Sequence, residues 1–303
     1  MRQARSILSG LRLPQADAHD LPESAKRFAD GGQYRIEIPS VEGPRALEAV
    51  VAAAAEHGVG IHRISQGSGI MLLTDAEISA MLALGRARGM EVCLFVGPRA
   101  SWDVGVQAAS ASGRVLGASL RGADQLVYGI EDVLRASALG VRSVLVGDVG
   151  HLMVLGRMKA RGDLPSDFVL KTSITLPAAN PATARVLEDL GATSVNLPVD
   201  LSLAQIAAIR QAIDVAIDFY VESPDDFGGA VRHYEIPELV RVAAPIYLKF
   251  GLRNAPGLYP SGQHLEAAVL ALSRERVRRA AIGLGILRRY APGAVASPLG
   301  PSR

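Results

Sequence analysis

Asp167–Asp200, DFVLKTSITLPAANPATARVLEDLGATSVNLPVD, spells out a strand, a helix and a second strand. Phe168-Val169-Leu170 runs into Lys171-Thr172-Ser173, a β-rich segment that turns polar at its end, and Pro177 and Pro181 punctuate the loop that follows. Asn180 has the side chain of an N-cap, Pro181 suits the first helical position, and Ala184, Val186, Leu187 and Leu190 share one apolar face. Gly191 closes the helix before Ser194-Val195-Asn196-Leu197 resumes an extended run. Two parallel strands joined by a helix need a right-handed crossover. Repeats of that unit give an open doubly wound sheet or a closed barrel.

Working outward, strand patterns precede this unit at Tyr34–Pro39, Gly60–Ser65, Glu91–Val96, Gly117–Leu120 and Ser143–Val146, and follow it at Ile217–Glu222 and Ile246–Phe250. Helical patterns lie between them: an alanine-rich one from Pro44 to Gly58, one opened by Thr74 and closed by Gly89, one ending at Gly140, and a short one at Pro237–Ala243. Eight β-α units over roughly 250 residues have the dimensions of a (β/α)8 TIM barrel, the fold expected here. The nine candidate strands then include one outside the ring, with Gly117–Leu120 and Ile246–Phe250 the suspects. No G-x-G-x-x-G follows the first strand, which counts against a dinucleotide-binding sheet. The expected organisation is an N-terminal arm or lid over residues 1–30, a barrel over 31–290, and a proline-, glycine- and serine-rich disordered tail over 291–303.

With 32 basic and 30 acidic side chains among 303 residues, the formal charge is +2, and no polybasic run is present. Nucleic acid is not an expected partner. The single cysteine, Cys93, excludes an intrachain disulfide framework and a four-cysteine zinc or iron–sulfur site within one chain. No signal-like N-terminus and no apolar run of membrane-spanning length occurs, so a cytoplasmic protein without a membrane partner is expected. A homo-oligomer stays open.

Barrel chemistry sits at the carboxyl ends of the strands, and the residues expected there are mostly charged. A lysine inside Val169-Leu170-Lys171-Thr172 costs several kcal/mol unless it meets a carboxylate or a wet pocket, which makes Lys171 a candidate. Snorkelling into solvent or pairing with an acid is the bland alternative, and Lys249, between Leu248 and Phe250, poses the same question. Glu222 at a strand end suits a general base, and Asp148 is a second candidate, whereas Asp225 and Asp226 read first as turn residues. Asp148 and His151, with Glu222 or Glu37, form an alternative divalent-metal set that matches no standard spacing. The primary expectation is no metal and no cofactor. Arg63, Gln66, Arg121, Ser173, Asn196, Lys249 and Arg253 are the expected substrate-binding residues, and the arginines at 63, 99, 121 and 253 favour a carboxylate or phosphate on the ligand. His62 reads as a satisfied outer-layer histidine, and His233 lies in a loop that could close over a substrate.

Gly147-Asp148, Thr172-Ser173, Asn180, Leu190-Gly191-Ala192 and Leu201-Ser202-Leu203-Ala204-Gln205-Ile206, together with Thr74–Phe95, resemble the collagenase-like peptidase family. The resemblance implies a TIM barrel and offers a peptidase as one alternative activity. Where that family carries a histidine–glycine pair and cysteines, this chain has Glu222-Ser223-Pro224, so no iron–sulfur cluster is expected. Separately, Phe168–Thr175 resembles the strand of deoxyribose-phosphate aldolases that bears a Schiff-base lysine in a Lys-Thr-Ser context. That likeness implies an imine at Lys171, with proton transfer by Glu222 or Asp148, and hence a carbon–carbon lyase acting on a small anionic carbonyl or carboxylate substrate. A metal-dependent isomerase or lyase and a non-catalytic barrel scaffold complete the alternatives.

Overall fold

The computed structural model describes residues 1–103, 105–111, 113, 116–176 and 178–300. Pro177 and residues 301–303 of the expected tail lie outside the described residues. Eight parallel strands form a closed barrel: β1 (Tyr34–Pro39), β2 (Arg63–Gln66), β3 (Glu91–Phe95), β4 (Ser143–Val146), β5 (Val169–Thr172), β6 (Ser194–Asn196), β7 (Ala216–Glu222) and β8 (Ile246–Phe250). β8 returns to pair with β1, Ile36 opposite Leu248, so no edge is left open. The helices are α1 (Arg2–Gly10), α2 (Pro44–His57), α3 (Asp75–Arg88), α4 (Val106–Ala109), α5 (Gly122–Ala138), α6 (Val149–Arg161), α7 (Pro181–Asp189), α8 (Leu203–Ala212), α9 (Ile236–Ala243) and α10 (Glu266–Tyr290). Outward-facing Ile36, Ile38, Ile64, Val144, Leu170, Ile217, Phe219 and Leu248 are fully buried against these helices. Among the described residues, no helix is long and apolar enough to cross a membrane.

The opening unit folds as its sequence reads. Asn180 Oδ1 accepts from Thr183 N at 2.9 Å, Pro181 begins α7, and Gly191 takes a left-handed φ of 103° before β6. Thr74 and Glu77 likewise close a capping box on α3.

Gly117–Leu120 is not a strand, whereas Ile246–Phe250 is β8, which reduces the nine candidates to eight. Its backbone serves a loop instead: Ser119 O and Gly117 O accept from Ala100 N and Ser101 N, both at 3.0 Å. The expected disorder fails for residues 291–300. Val295 O accepts from Gln33 N at 2.7 Å, Ser297 N donates to Tyr34 O at 3.0 Å, and Ser297 Oγ donates to Asp30 Oδ1 at 2.9 Å. Ser297 is buried by these contacts at the amino-terminal end of β1. Low-complexity composition marks a chain without its own core, yet its backbone groups can still pair with a strand that has free ones. The arm is no lid either. Ala18 N bonds Ala204 O at 3.1 Å and Lys26 Nζ bonds Ile213 O at 2.5 Å, which fixes it along the outer wall at α8.

Candidate active site

Strand side chains alternate, so every second residue points into the barrel, and the lumen can be read in layers. The upper layer takes one residue from each strand or its carboxyl end: Pro39, Ser65, Phe95, Leu145, Ser173, Asn196, Tyr220 and Lys249. All eight line one cavity of about 560 Å³ at the carboxyl ends of the strands. Loop residues build its walls, including Arg99, Trp102, Thr175, Asp226, Phe227 and Tyr259. Tyr259 lies directly over Gly67, where any Cβ would collide with its ring. Other cavities lie along α8 and at the amino-terminal mouth; this one gathers a residue from each of the eight strands, which those two do not.

Two residues lower on their strands stand Glu37, Arg63, Lys171 and Asp218, all buried. They form a charge network. Lys171 Nζ contacts both carboxylate oxygens of Glu37 and lies 3.5 Å from Asp218 Oδ1. Arg63 donates Nη1 to Asp218 at 2.8 Å and Nε to Glu91 at 2.7 Å, with its guanidinium 3.6 Å from the Tyr247 ring centroid. Burial pushes Glu37 toward its neutral form, but Lys171, Lys249 and Arg63 outweigh it and hold the carboxyl well below the usual range.

The two sequence-marked lysines therefore have different fates. Lys171 sits in the ionic layer beneath the cavity and is fully buried, contrary to the expectation that it faces the substrate. Lys249 reaches the cavity. Its Nζ donates to the Asn196 side-chain oxygen at 2.8 Å in the amide orientation that satisfies both neighbours. The ammonium also lies 4.0 Å from the Tyr220 ring centroid and 3.8 Å from Glu37 Oε1.

Among the other expected residues, Ser173, Asn196 and Gln66 line the cavity, with Gln66 Oε1 accepting from Gly69 N at 3.0 Å. Arg63 does not, because it lies one layer down. Glu222 also misses it. A bulge between Tyr220 and Glu222 shifts the register, so Glu222 pairs with outward-facing Phe250 and turns toward α10. There it meets His233 Nε2 at 3.1 Å and Arg279 Nη1 at 3.4 Å, and burial notwithstanding, His233 and the Arg253 N–H hold its carboxyl below the usual range. Asp148 caps α6, accepting from His151 N at 2.8 Å, and also accepts from Leu120 N at 3.2 Å. The alternative metal set Asp148, His151 and Glu222 is thus not assembled, since each acid is engaged elsewhere. Among the described residues no three metal-ligating side chains gather. Arg253 pairs with Asp225 at 3.7 Å on the exposed side. Arg121 heads α5 and lines a neighbouring cleft of about 680 Å³. His62 is satisfied, as expected, accepting from Ile36 N at Nδ1 and meeting Ser297 O at Nε2.

Sequence reasoning passed over Asp218, Tyr220, Trp102 and Tyr259, and considered Glu37 only as a metal ligand. Glu37 between Ile36 and Ile38, and Asp218 between Ile217 and Phe219, carry the signal that singled out Lys171: a charge inside an apolar strand. The loop aromatics carried no such periodic signal.

Residues 120–223, spanning β4 to β7, match the model of Peptidase family U32. The family resemblance read from the motifs of this region is borne out there. No curated protein matches the chain. Among solved structures, the U32 peptidase Mk0906 is 18% identical with a TM-score of 0.41, covering 66% of this chain and 74% of that one. The YdjI aldolase from Escherichia coli K12 is 14% identical with a TM-score of 0.53, covering 84% and 92%. A putative fructose-1,6-biphosphate aldolase from Coccidioides immitis is 10% identical with a TM-score of 0.53 and the same 84% and 92% coverage. For the two aldolases, at these identities, the likeness is one of fold.

Proposed function

We propose that this chain is a barrel enzyme of the carbon–carbon lyase type that forms an imine between Lys249 and a small carbonyl substrate in the upper cavity. The observation that carries this reading is the position of Lys249: among the described residues it is the lysine lining that cavity. An amine must shed its proton to attack a carbonyl, and a directly bonded carboxylate opposes that loss. Lys171 has such a carboxylate; Lys249 is held by an amide oxygen and a ring face, with Glu37 farther off at 3.8 Å.

The neutral Nζ adds to the carbonyl carbon, and the carbinolamine takes a proton on its hydroxyl from a general acid and loses water to give the protonated imine. The bond between the α and β carbons then breaks: its electron pair forms the enamine double bond and neutralises the cation, while the β-hydroxyl gives its proton to a base and becomes the carbonyl of the departing product. Protonation of the enamine carbon and hydrolysis by water then free the lysine. Asp226 is the carboxylate lining the cavity, and it takes the proton-transfer role that the sequence assigned to Glu222 or Asp148.

Borohydride reduction in the presence of pyruvate and a panel of aldehydes, followed by peptide mass mapping, tests the reading. The expected adduct lies on Lys249. It should vanish in Lys249→Arg, because a guanidinium cannot form it despite keeping the charge. An adduct on Lys171, or none with any carbonyl tried, overturns the proposal.

A further inference from the structure

Three buried arginines leave their Nε without a partner: Arg99, Arg210 and Arg276. Arg210 caps backbone oxygens, donating to Val215 O at 2.8 Å, and Arg276 donates to Ser40 O at 3.2 Å; neither lines the upper cavity or the side cleft. Arg99 is different. It stands at the junction of the upper cavity and the side cleft and lines both, as does Trp102.

The environment of Arg99 is built around its plane. Its guanidinium carbon lies 3.8 Å from the Phe95 ring centroid and 3.9 Å from that of Trp102. With those faces stacked, the in-plane edge is what remains for a partner. Nη2 uses one donor on Gly67 O at 2.6 Å, and Nε has none. Only 7% of the residue is exposed, and no carboxylate of the described residues pairs with it. Glu42, which acts on it electrostatically, is spent on Gly67 N and Ser68 N at 2.7 and 3.0 Å. Burial lowers the Arg99 pKa to about 10, the mark of a cation whose desolvation is uncompensated. Of the acids around the two cavities, Asp226 is on the exposed rim, Asp124 is exposed, and Asp103 is engaged with Gln125.

We propose that Arg99 anchors an oxyanion of the ligand, a carboxylate or phosphate group, at this junction. The anion restores the missing in-plane hydrogen bond and the missing counter-charge together. The inference rests on the upper cavity being the ligand site, and it makes the substrate a carbonyl compound that carries a second, anionic group. It does not depend on imine formation.

Trp102 is the chain's single tryptophan, so its emission reports on this stack. Titration of the intact protein with inorganic phosphate in one arm and pyruvate in the other should give a saturable change that sodium chloride of equal ionic strength does not reproduce. The arm that saturates at lower concentration identifies phosphate or carboxylate as the preferred group. Arg99→Met should weaken that binding about 10- to 100-fold, and Arg99→Lys, which keeps the charge without the planar edge, by an intermediate factor. Inorganic phosphate has no carbonyl and cannot form an imine, so the phosphate arm with Arg99→Met reads this proposal alone, and its failure and that of the imine reading are distinguishable. Should a variant at position 99 not fold, as judged by circular dichroism, the wild-type titration still decides. No saturable response to either anion, or an equal response in folded Arg99→Met, overturns the proposal.

Discussion

At the scale of the residue, the two lysines show what a strand pattern can and cannot say. Val169-Leu170-Lys171-Thr172 and Tyr247-Leu248-Lys249-Phe250 look alike, and alternation correctly turns both amines inward. Height in the lumen, however, follows from the stagger of neighbouring strands, and no local sequence encodes that. Lys171 pairs in register with Leu145 and Ser194, one layer below Ser173, whereas Lys249 stands beside Tyr220 in the layer that meets solvent. Lys171→Met should therefore act on stability first, lowering it by about 3–5 kcal/mol because Glu37 is left buried with less compensation. The double change Lys171→Met with Glu37→Gln should recover a substantial part of that loss. Urea unfolding of the four proteins in the cycle measures the coupling, and additive losses would mean the pair contributes nothing jointly. Since Glu37 is depressed in the folded state, its share of stability is full above the ordinary carboxyl range and fades only as pH falls toward its low folded value.

At the scale of the element, most strands and helices were legible because caps, glycines and alternation agree. Ser143–Val146 and Ile246–Phe250 match the expected bounds, and the Pro44 and Thr74 helix starts hold. The failures have particular causes. Gly117–Leu120 has strand-like composition but no partner strand, and the β7 bulge reverses Glu222 without any residue type that announces it. Helix α5 supplies a pH test. Asp132 is buried with Oδ2 accepting from Gly97 N at 3.4 Å, and burial raises its pKa to about 6. For an acid raised above its unfolded value, the folded state binds the proton more tightly, so stability is lost as pH rises from about 4 through about 6. Asp132→Asn, which keeps an acceptor for Gly97, should stabilise the protein at pH 8 by on the order of 2 kcal/mol and do little at pH 4. Thermal midpoints at the two pH values check this, and an equal shift at both would contradict the assignment.

At the scale of the whole molecule, the barrel followed from counting units, but the closure of its lower end did not. Composition read the last residues as free, whereas 291–300 hold Gln33, Tyr34, Arg35 and His62 through Val295 and Ser297. Among the described residues, removal of 292–303 breaks seven hydrogen bonds to Asp30, Gln33, Tyr34, Arg35 and His62 and should cost about 4–7 kcal/mol at roughly 0.5–1 kcal/mol each, while leaving the Trp102 titration unchanged. Urea midpoints and the same anion titration test that separation, and a changed anion affinity would show the two ends of the barrel to be linked. The ionic layer at the centre has a consequence for how such a protein can diverge. Glu37, Asp218 and Glu91 meet Arg63 and Lys171 in a space shared by five strands, so losing one of the paired groups strands an opposite charge. Sequence drift there is confined to neutral exchanges in which an acid and a base leave together, and descendants of this chain should carry those positions as covarying pairs rather than as independent sites.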